Sequence, residues 1–217
     1  MVTNGSKRQG REGAASRPIV AFDFDGTLTV EDSFIAFLRW RAGAAGWALA
    51  VLRLAPQLIL YPLTRDRGAL KAAAARLVLG RIDQATLERE AEAFAAANFD
   101  RLIRPDALAR WRRHTEEGAL MTIVTASPET IVAPFAKRLG ADRLIGTCLG
   151  FDAAGRFTGG FDTANCRAAE KVARLRQAFG EDMALAAAYG DTSGDTEMLA
   201  FAAEGHMKLF KSRPAPR

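Results

Sequence analysis

Residues 18–29 read PIVAFDFDGTLT, an apolar run that stops on two carboxylates, Asp23 and Asp25. A run bounded so abruptly reads as a buried strand emerging at a sheet edge. Gly26 then lets the chain turn sharply. Strand alternation would put the Asp23 and Asp25 side chains on one side and Phe24 on the other. Two acids pointing together raise each other's proton affinity unless a cation sits between them. The stretch therefore predicts a place for a hard divalent metal and for acid–base chemistry.

Working outward, the pattern predicts a strand at 18–24 and helices at about 31–42, 44–61, 65–79, 83–103 and 105–117. A strand at 119–125 and a helix at 128–139 follow, with Ser127 as N-cap, Pro128 at the first helical position and Gly140 closing the helix. Next come a short strand near 143–149, a hairpin over 149–160 turning at Ala154-Gly155, and a helix over 165–179 closed by Gly180. A strand at 183–189, a helix at 193–203 and a short strand near 206–210 complete the chain. Strands alternating with helices predict an α/β fold around a parallel sheet, whose ligands bind beyond the C-terminal strand ends. The all-helical stretch 31–104 interrupts that alternation as an inserted cap. The core is then 18–30 plus 105–210, with a disordered basic tail at 1–17 and a second tail at 211–217.

Composition excludes several classes. The 217 residues, 49% of them hydrophobic, suit one globular domain with an insert. Two unpaired cysteines, Cys148 and Cys166, argue against a disulfide framework or a zinc site and favour a reducing cytoplasm. Two histidines, His114 and His206, leave little for His-rich metal sites or Ser-His-Asp catalysis. The net charge of +5 suggests nucleic acid, but it resides in the ends. Residues 18–207 hold 22 basic and 24 acidic side chains, a net of −2, so no nucleic-acid partner is expected.

Four motifs fall in order: DFDGT at 23–27, Thr125 after Ile123-Val124, Lys171 in NCRAAEK, and GDTSGD at 190–195. Over 18–207 the sequence resembles the haloacid dehalogenase (HAD) superfamily, and within it the phosphoserine-phosphatase-like branch, subfamily IB. The resemblance implies a Rossmann-like parallel sheet core with an inserted all-helical C1 cap, and a phosphoric monoester hydrolase. It implies Asp23 as nucleophile forming an aspartyl phosphate, and Asp25 as the acid and base. Thr125 would bind a phosphoryl oxygen, and Lys171 would place a fixed charge on the phosphoryl group and the nucleophile. Mg²⁺ would be held by Asp23, Asp191 and the backbone carbonyl of Asp25, with Asp195 orienting Lys171 and the metal's waters. Each role suits the residue: an ionised carboxylate attacks without losing a proton, and phosphoryl transfer gains chiefly from positioning and charge neutralisation. Simpler readings stand beside these. Lys171 shares its helix with Arg167, Arg174 and Arg176, and Asp195 is also a helix-start acid. Ala126 stands where phosphoserine phosphatases have glycine. Asp32 aligns with a substrate-facing glutamate of those enzymes, while Glu31-Asp32 read equally as first-turn acids of a cap helix.

The spacing places the cap: 100 residues separate Asp25 from Thr125, but only 46 separate Thr125 from Lys171. Within it, 46–63 (GWALAVLRLAPQLILYPL) is apolar apart from Arg53 and Gln57. Residues 39–81 hold eight Lys/Arg against one acid, Asp66. Two readings follow: a helix buried in the cap, or a membrane-interface helix near anionic headgroups, with Arg53 facing a lipid phosphate. The cap resembles that of phosphatidylglycerophosphatase C-type enzymes, which implies a phosphorylated lipid substrate and a cytoplasmic protein peripheral to the inner face of the membrane. A small soluble phosphomonoester such as phosphoserine is the second expectation. A non-catalytic, membrane-associated regulator is the third, and a binding module has no need of both acids in DFDGT.

Overall fold

The computed structural model describes residues 17–57, 59 and 67–215. The predicted basic tail before Arg17, residues 58 and 60–66 of the apolar stretch, and 216–217 of the second tail lie outside the described residues.

The strands are β1 (Ile19–Phe22), β2 (Leu120–Pro128), β3 (Arg143–Thr147), β4 (Leu149–Phe151), β5 (Phe157–Phe161), β6 (Leu185–Gly190) and β7 (Glu204–Met207). The helices are α1 (Ser33–Arg53), α2 (Arg67–Leu79), α3 (Gln84–Leu102), α4 (Pro105–Glu116), α5 (Glu129–Leu139), α6 (Ala169–Phe179) and α7 (Thr196–Phe201). Five strands form one sheet in the order β3-β2-β1-β6-β7, every neighbouring pair parallel, so the expected α/β architecture is present. β1 is central, with Phe22 opposite Ile123 on one side and Tyr189 on the other. β4 and β5 make the expected hairpin.

Both faces of the sheet are buried, as a parallel sheet requires. Val20 and Phe22 face a core shared with Trp111 of α4 and Phe135 of α5. Ala21 faces the opposite way, toward Leu175 of α6 and Met198 of α7. The helical insert joins the first of these cores: Phe94 of α3 packs edge-on against Phe37 of α1 at 5.5 Å and against Phe135 of α5 at 5.8 Å.

The insert leaves and re-enters the core through two antiparallel strands of chain. The Val30 amide donates to the Leu102 carbonyl at 2.9 Å, and the Arg104 amide donates to the Leu28 carbonyl at 2.8 Å. Asp32 caps α1 by accepting the Ile35 amide at 3.0 Å. Asp83 caps α3 in the same way, accepting the Thr86 amide at 2.9 Å. The sequence predicts two helices parted at residue 43. In the structure they are one element bent at Gly43, whose φ of 64° and ψ of 175° are not helical. A bend costs less here than a full loop because glycine tolerates positive φ. Before the bend Phe34, Phe37 and Leu38 are buried. After it Leu49, Val51 and Leu52 are exposed.

One prediction needs correction. Ser127 does not cap a helix: β2 continues through Pro128, α5 begins at Glu129, and no side chain caps it. The Ser127 hydroxyl is engaged by Asp25 instead.

Candidate active site

β1 ends at Phe22, and the next residue is tied to β6 by the Asp23 amide donating to the Tyr189 carbonyl at 2.8 Å. Asp23 is thereby fixed at the C-terminal end of the sheet, between β2 and β6. Lys171, in the first turn of α6, reaches it from below and is only 1% exposed. Its ammonium donates to Asp23 Oδ1 at 2.6 Å, Asp195 Oδ1 at 2.7 Å and the Val124 carbonyl at 2.6 Å. All three of its protons are thus used. The other Asp195 oxygen, Oδ2, accepts the Asp191 amide at 3.2 Å, the Thr192 amide at 3.0 Å and the Thr192 hydroxyl at 3.1 Å. Asp195 therefore holds both the lysine and the loop that carries Asp191.

Carboxylate oxygens of Asp23, Asp191 and Asp195 lie within 4.8 Å of one another. Burial pushes the Lys171 ammonium down, but Asp23 and Asp195 outweigh it and hold the group above its ordinary value, as a cation. Burial also raises Asp195, and Lys171 with the Thr192 donors outweighs that and lowers it. One ammonium does not balance three acids. Burial drives Asp23 up to about 7 despite Lys171. Burial and the neighbouring Asp195 raise Asp191 as well. Asp191 Oδ1 is buried and has no hydrogen-bond partner among the described residues. An orphaned carboxylate oxygen within a group of three acids and one ammonium fits an oxygen-seeking divalent cation. Asp23 and Asp191 have oxygens to offer it, whereas both Asp195 oxygens are occupied. Gly26 makes room: its φ is 81°, and a Cβ there would sit 2.1 Å from Asp191 Oδ2.

Asp25 is not one of the three clustered acids: β1 ends at Phe22, and Asp25 sits in the turn Phe24–Leu28. Its Oδ1 accepts the amide of Ser33, the first residue of α1, at 2.7 Å, and its Oδ2 accepts the Ser127 hydroxyl. Burial pushes the Asp25 carboxyl up, Asp32 adds to the rise, and Lys71, Ser127 and Ser33 oppose it.

Thr125 is fully buried on β2, and its Oγ1 accepts the Ser127 amide at 3.0 Å. Ala126 lies between them, half-buried. Asp32 pairs with Lys71 of α2 across the cap while capping α1. Glu31 pairs with Arg39 at 3.0 Å and Arg101 at 2.6 Å. Arg53 is exposed at the far end of α1, twenty residues beyond Ser33, and no described contact joins it to Asp23, Asp25 or Lys171. Sequence reasoning missed Ser127, the Ser33 amide and Lys71. Only Ser127 had a signal: it stands at i+2 from Thr125 on an apolar run, hence on the same side of the strand.

Residues 20–200 match the family model described as haloacid dehalogenase-like hydrolase. Protein CicA of Caulobacter vibrioides is 59% identical over 197 residues, which cover 91% of this chain and 88% of CicA. Among solved structures, the chain is similar to a Bordetella pertussis Tohama I protein of unknown function, with a TM-score of 0.71 and 26% identity over 85% of this chain and 86% of that one. A substrate-bound phosphoserine phosphatase shares the fold, with a TM-score of 0.57 and 16% identity over 86% of this chain and 83% of that one.

Proposed function

The chain belongs to the haloacid dehalogenase-like hydrolase family, and from that premise we propose that it is a Mg²⁺-dependent phosphomonoester phosphatase working through an aspartyl phosphate. The observation that carries this reading is the Asp23–Lys171–Asp191–Asp195 cluster at the end of the sheet, with its unbalanced negative charge and its orphaned Asp191 oxygen. Asp23, its Oδ1 held by Lys171, attacks phosphorus as the carboxylate and displaces the leaving oxygen. Lys171 neutralises charge on the phosphoryl group, and the Thr125 hydroxyl, whose oxygen accepts from Ser127, has its proton free for a phosphoryl oxygen. Asp25 protonates the leaving oxygen and then takes a proton from the water that hydrolyses the aspartyl phosphate. Asp23, Asp191 and the Asp25 carbonyl would hold Mg²⁺, which supplies charge to offset the approach of an anionic substrate.

We further propose that the substrate carries its phosphate on a lipid, met at the cytoplasmic face of an anionic membrane. The support is the cap surface beyond Gly43. Leu52 is 70% and Ile59 75% exposed, Leu49 and Val51 are exposed as well, and Arg53 is exposed without an ion-pair partner among the described residues. Exposed apolar side chains with a cation among them suit the interface of an anionic bilayer. The test is a phosphatase panel of phosphatidylglycerophosphate, lysophosphatidate and phosphoserine, run beside flotation on anionic vesicles. Flotation with turnover of the lipid phosphates is expected. No flotation, with turnover of phosphoserine only, would remove the lipid reading and leave a soluble metabolite as substrate.

A further inference from the structure

We propose that Ser127 is a positioning residue that fixes the Asp25 carboxyl for proton transfer. The proposal rests on the reading of Asp25 as the proton-moving group. Ser127 is 1% exposed at the end of β2, with its hydroxyl on Asp25 Oδ2 and its amide on Thr125 Oγ1. The other Asp25 oxygen accepts the Ser33 amide, which belongs to the first turn of the cap. One carboxyl is thus gripped from two sides, by the core through Ser127 and by the cap through Ser33.

The two grips are chemically unequal. An amide N–H only donates, so Oδ1 is an acceptor throughout, and the transferable proton belongs on Oδ2. That is the oxygen Ser127 holds. Ser127 donates to a lone pair of Oδ2 whether Asp25 is ionised or protonated, which leaves the Oδ2 proton for the leaving oxygen. As the bond from phosphorus to the leaving oxygen breaks, the Oδ2 proton moves to that oxygen and Asp25 becomes a carboxylate. Asp25 regains a proton from the water that attacks the aspartyl phosphate. Without Ser127 only the cap amide orients Asp25, and its position follows the cap rather than the phosphoryl site. A misplacement of about 1 Å is worth roughly a hundredfold in rate.

The test compares kcat/KM on para-nitrophenyl phosphate, whose leaving group needs little protonation, and on glycerol phosphate, whose leaving alkoxide needs it fully. Ser127→Ala is expected to lose at least about tenfold more on glycerol phosphate than on the aryl ester. Asp25→Asn should show the same asymmetry more strongly, and Ser127→Thr should restore most of the loss. Equal losses by Ser127→Ala on both esters, with Asp25→Asn still asymmetric, would overturn the proposal and leave the Asp25 reading intact. A symmetric Asp25→Asn would overturn both. Should Ser127→Ala fail to fold, Ser127→Cys carries the same comparison, because a thiol is a weaker donor of similar shape.

Discussion

Gly26 shows how a residue without a side chain shapes the site. Its φ of 81° turns the chain out of β1, and its bare Cα leaves Asp191 the space beside it. Gly26→Ala adds both a strained backbone and a clash with a carboxylate oxygen, so activity on any phosphomonoester should fall at least about a hundredfold. Asp191 itself carries the argument for a cation. Mg²⁺ should raise the melting temperature of the wild-type protein, and Asp191→Asn should abolish that rise, read by thermal denaturation with and without the metal. At this scale the sequence was uneven as a guide. Asp23, Lys171 and the Asp191–Asp195 loop are far apart in the chain, yet each residue sits at a strand end or helix start, and the structure brings them together. The partners of Asp25 were not legible, because alternation assumes a strand that in fact stops at Phe22. Ser127 was misread because Ser-Pro before an acid is also a helix-start signature. Lys71 was silent because a lysine in an Ala-rich helix carries no mark of its partner.

The elements hold the site from behind. Arg104, just before α4, donates through Nε to the carbonyls of Gly26 and Thr29, both at 3.1 Å, and through Nη1 to the Ser212 carbonyl at 2.9 Å. Asp106 in α4 accepts the Ser212 hydroxyl at 2.6 Å and the amides of Lys211 and Ser212 at 2.8 and 3.0 Å. The chain after β7 is therefore a strap that ties α4 to the turn carrying Asp25. Burial pushes the Asp106 carboxyl up, but the Ser212 hydroxyl and the surrounding amides outweigh it and bring it down to about 2. A folded value below the unfolded one means the native state binds fewer protons. Its contribution to stability is then present above about pH 4 and is lost as pH falls toward 2. Asp106→Asn should be less stable than wild type at pH 6, and the gap should narrow by pH 2.5, measured by urea denaturation at both values. The strap was not legible: the sequence predicts a strand to 210, whereas β7 ends at Met207 and Phe210 stacks on Phe22 and lies tilted against Tyr189 instead. The break at residue 43 was legible, since two small residues follow an amphipathic run and only glycine adopts that backbone cheaply.

At the scale of the molecule, alternating strands and helices gave the parallel sheet, because burial on both faces leaves near-continuous apolar runs that are easy to read. What the cap does with its apolar residues was not legible. Burial and exposure of an Ala/Leu helix leave the same sequence pattern, and only packing distinguishes Phe37, buried against Phe94, from Leu52, facing outward. The architecture puts this outward face and the Asp32–Lys71 pair in one insert, hinged on the chain beside Asp25. The chemistry, in turn, converges on one carboxylate. The most direct measurement is hydrolysis of para-nitrophenyl phosphate in Mg²⁺ by the wild-type protein and by Asp23→Asn. A nucleophile that forms the phosphoenzyme predicts a loss of at least about a thousandfold in kcat with the fold unchanged. Wild-type turnover by Asp23→Asn would contradict the account.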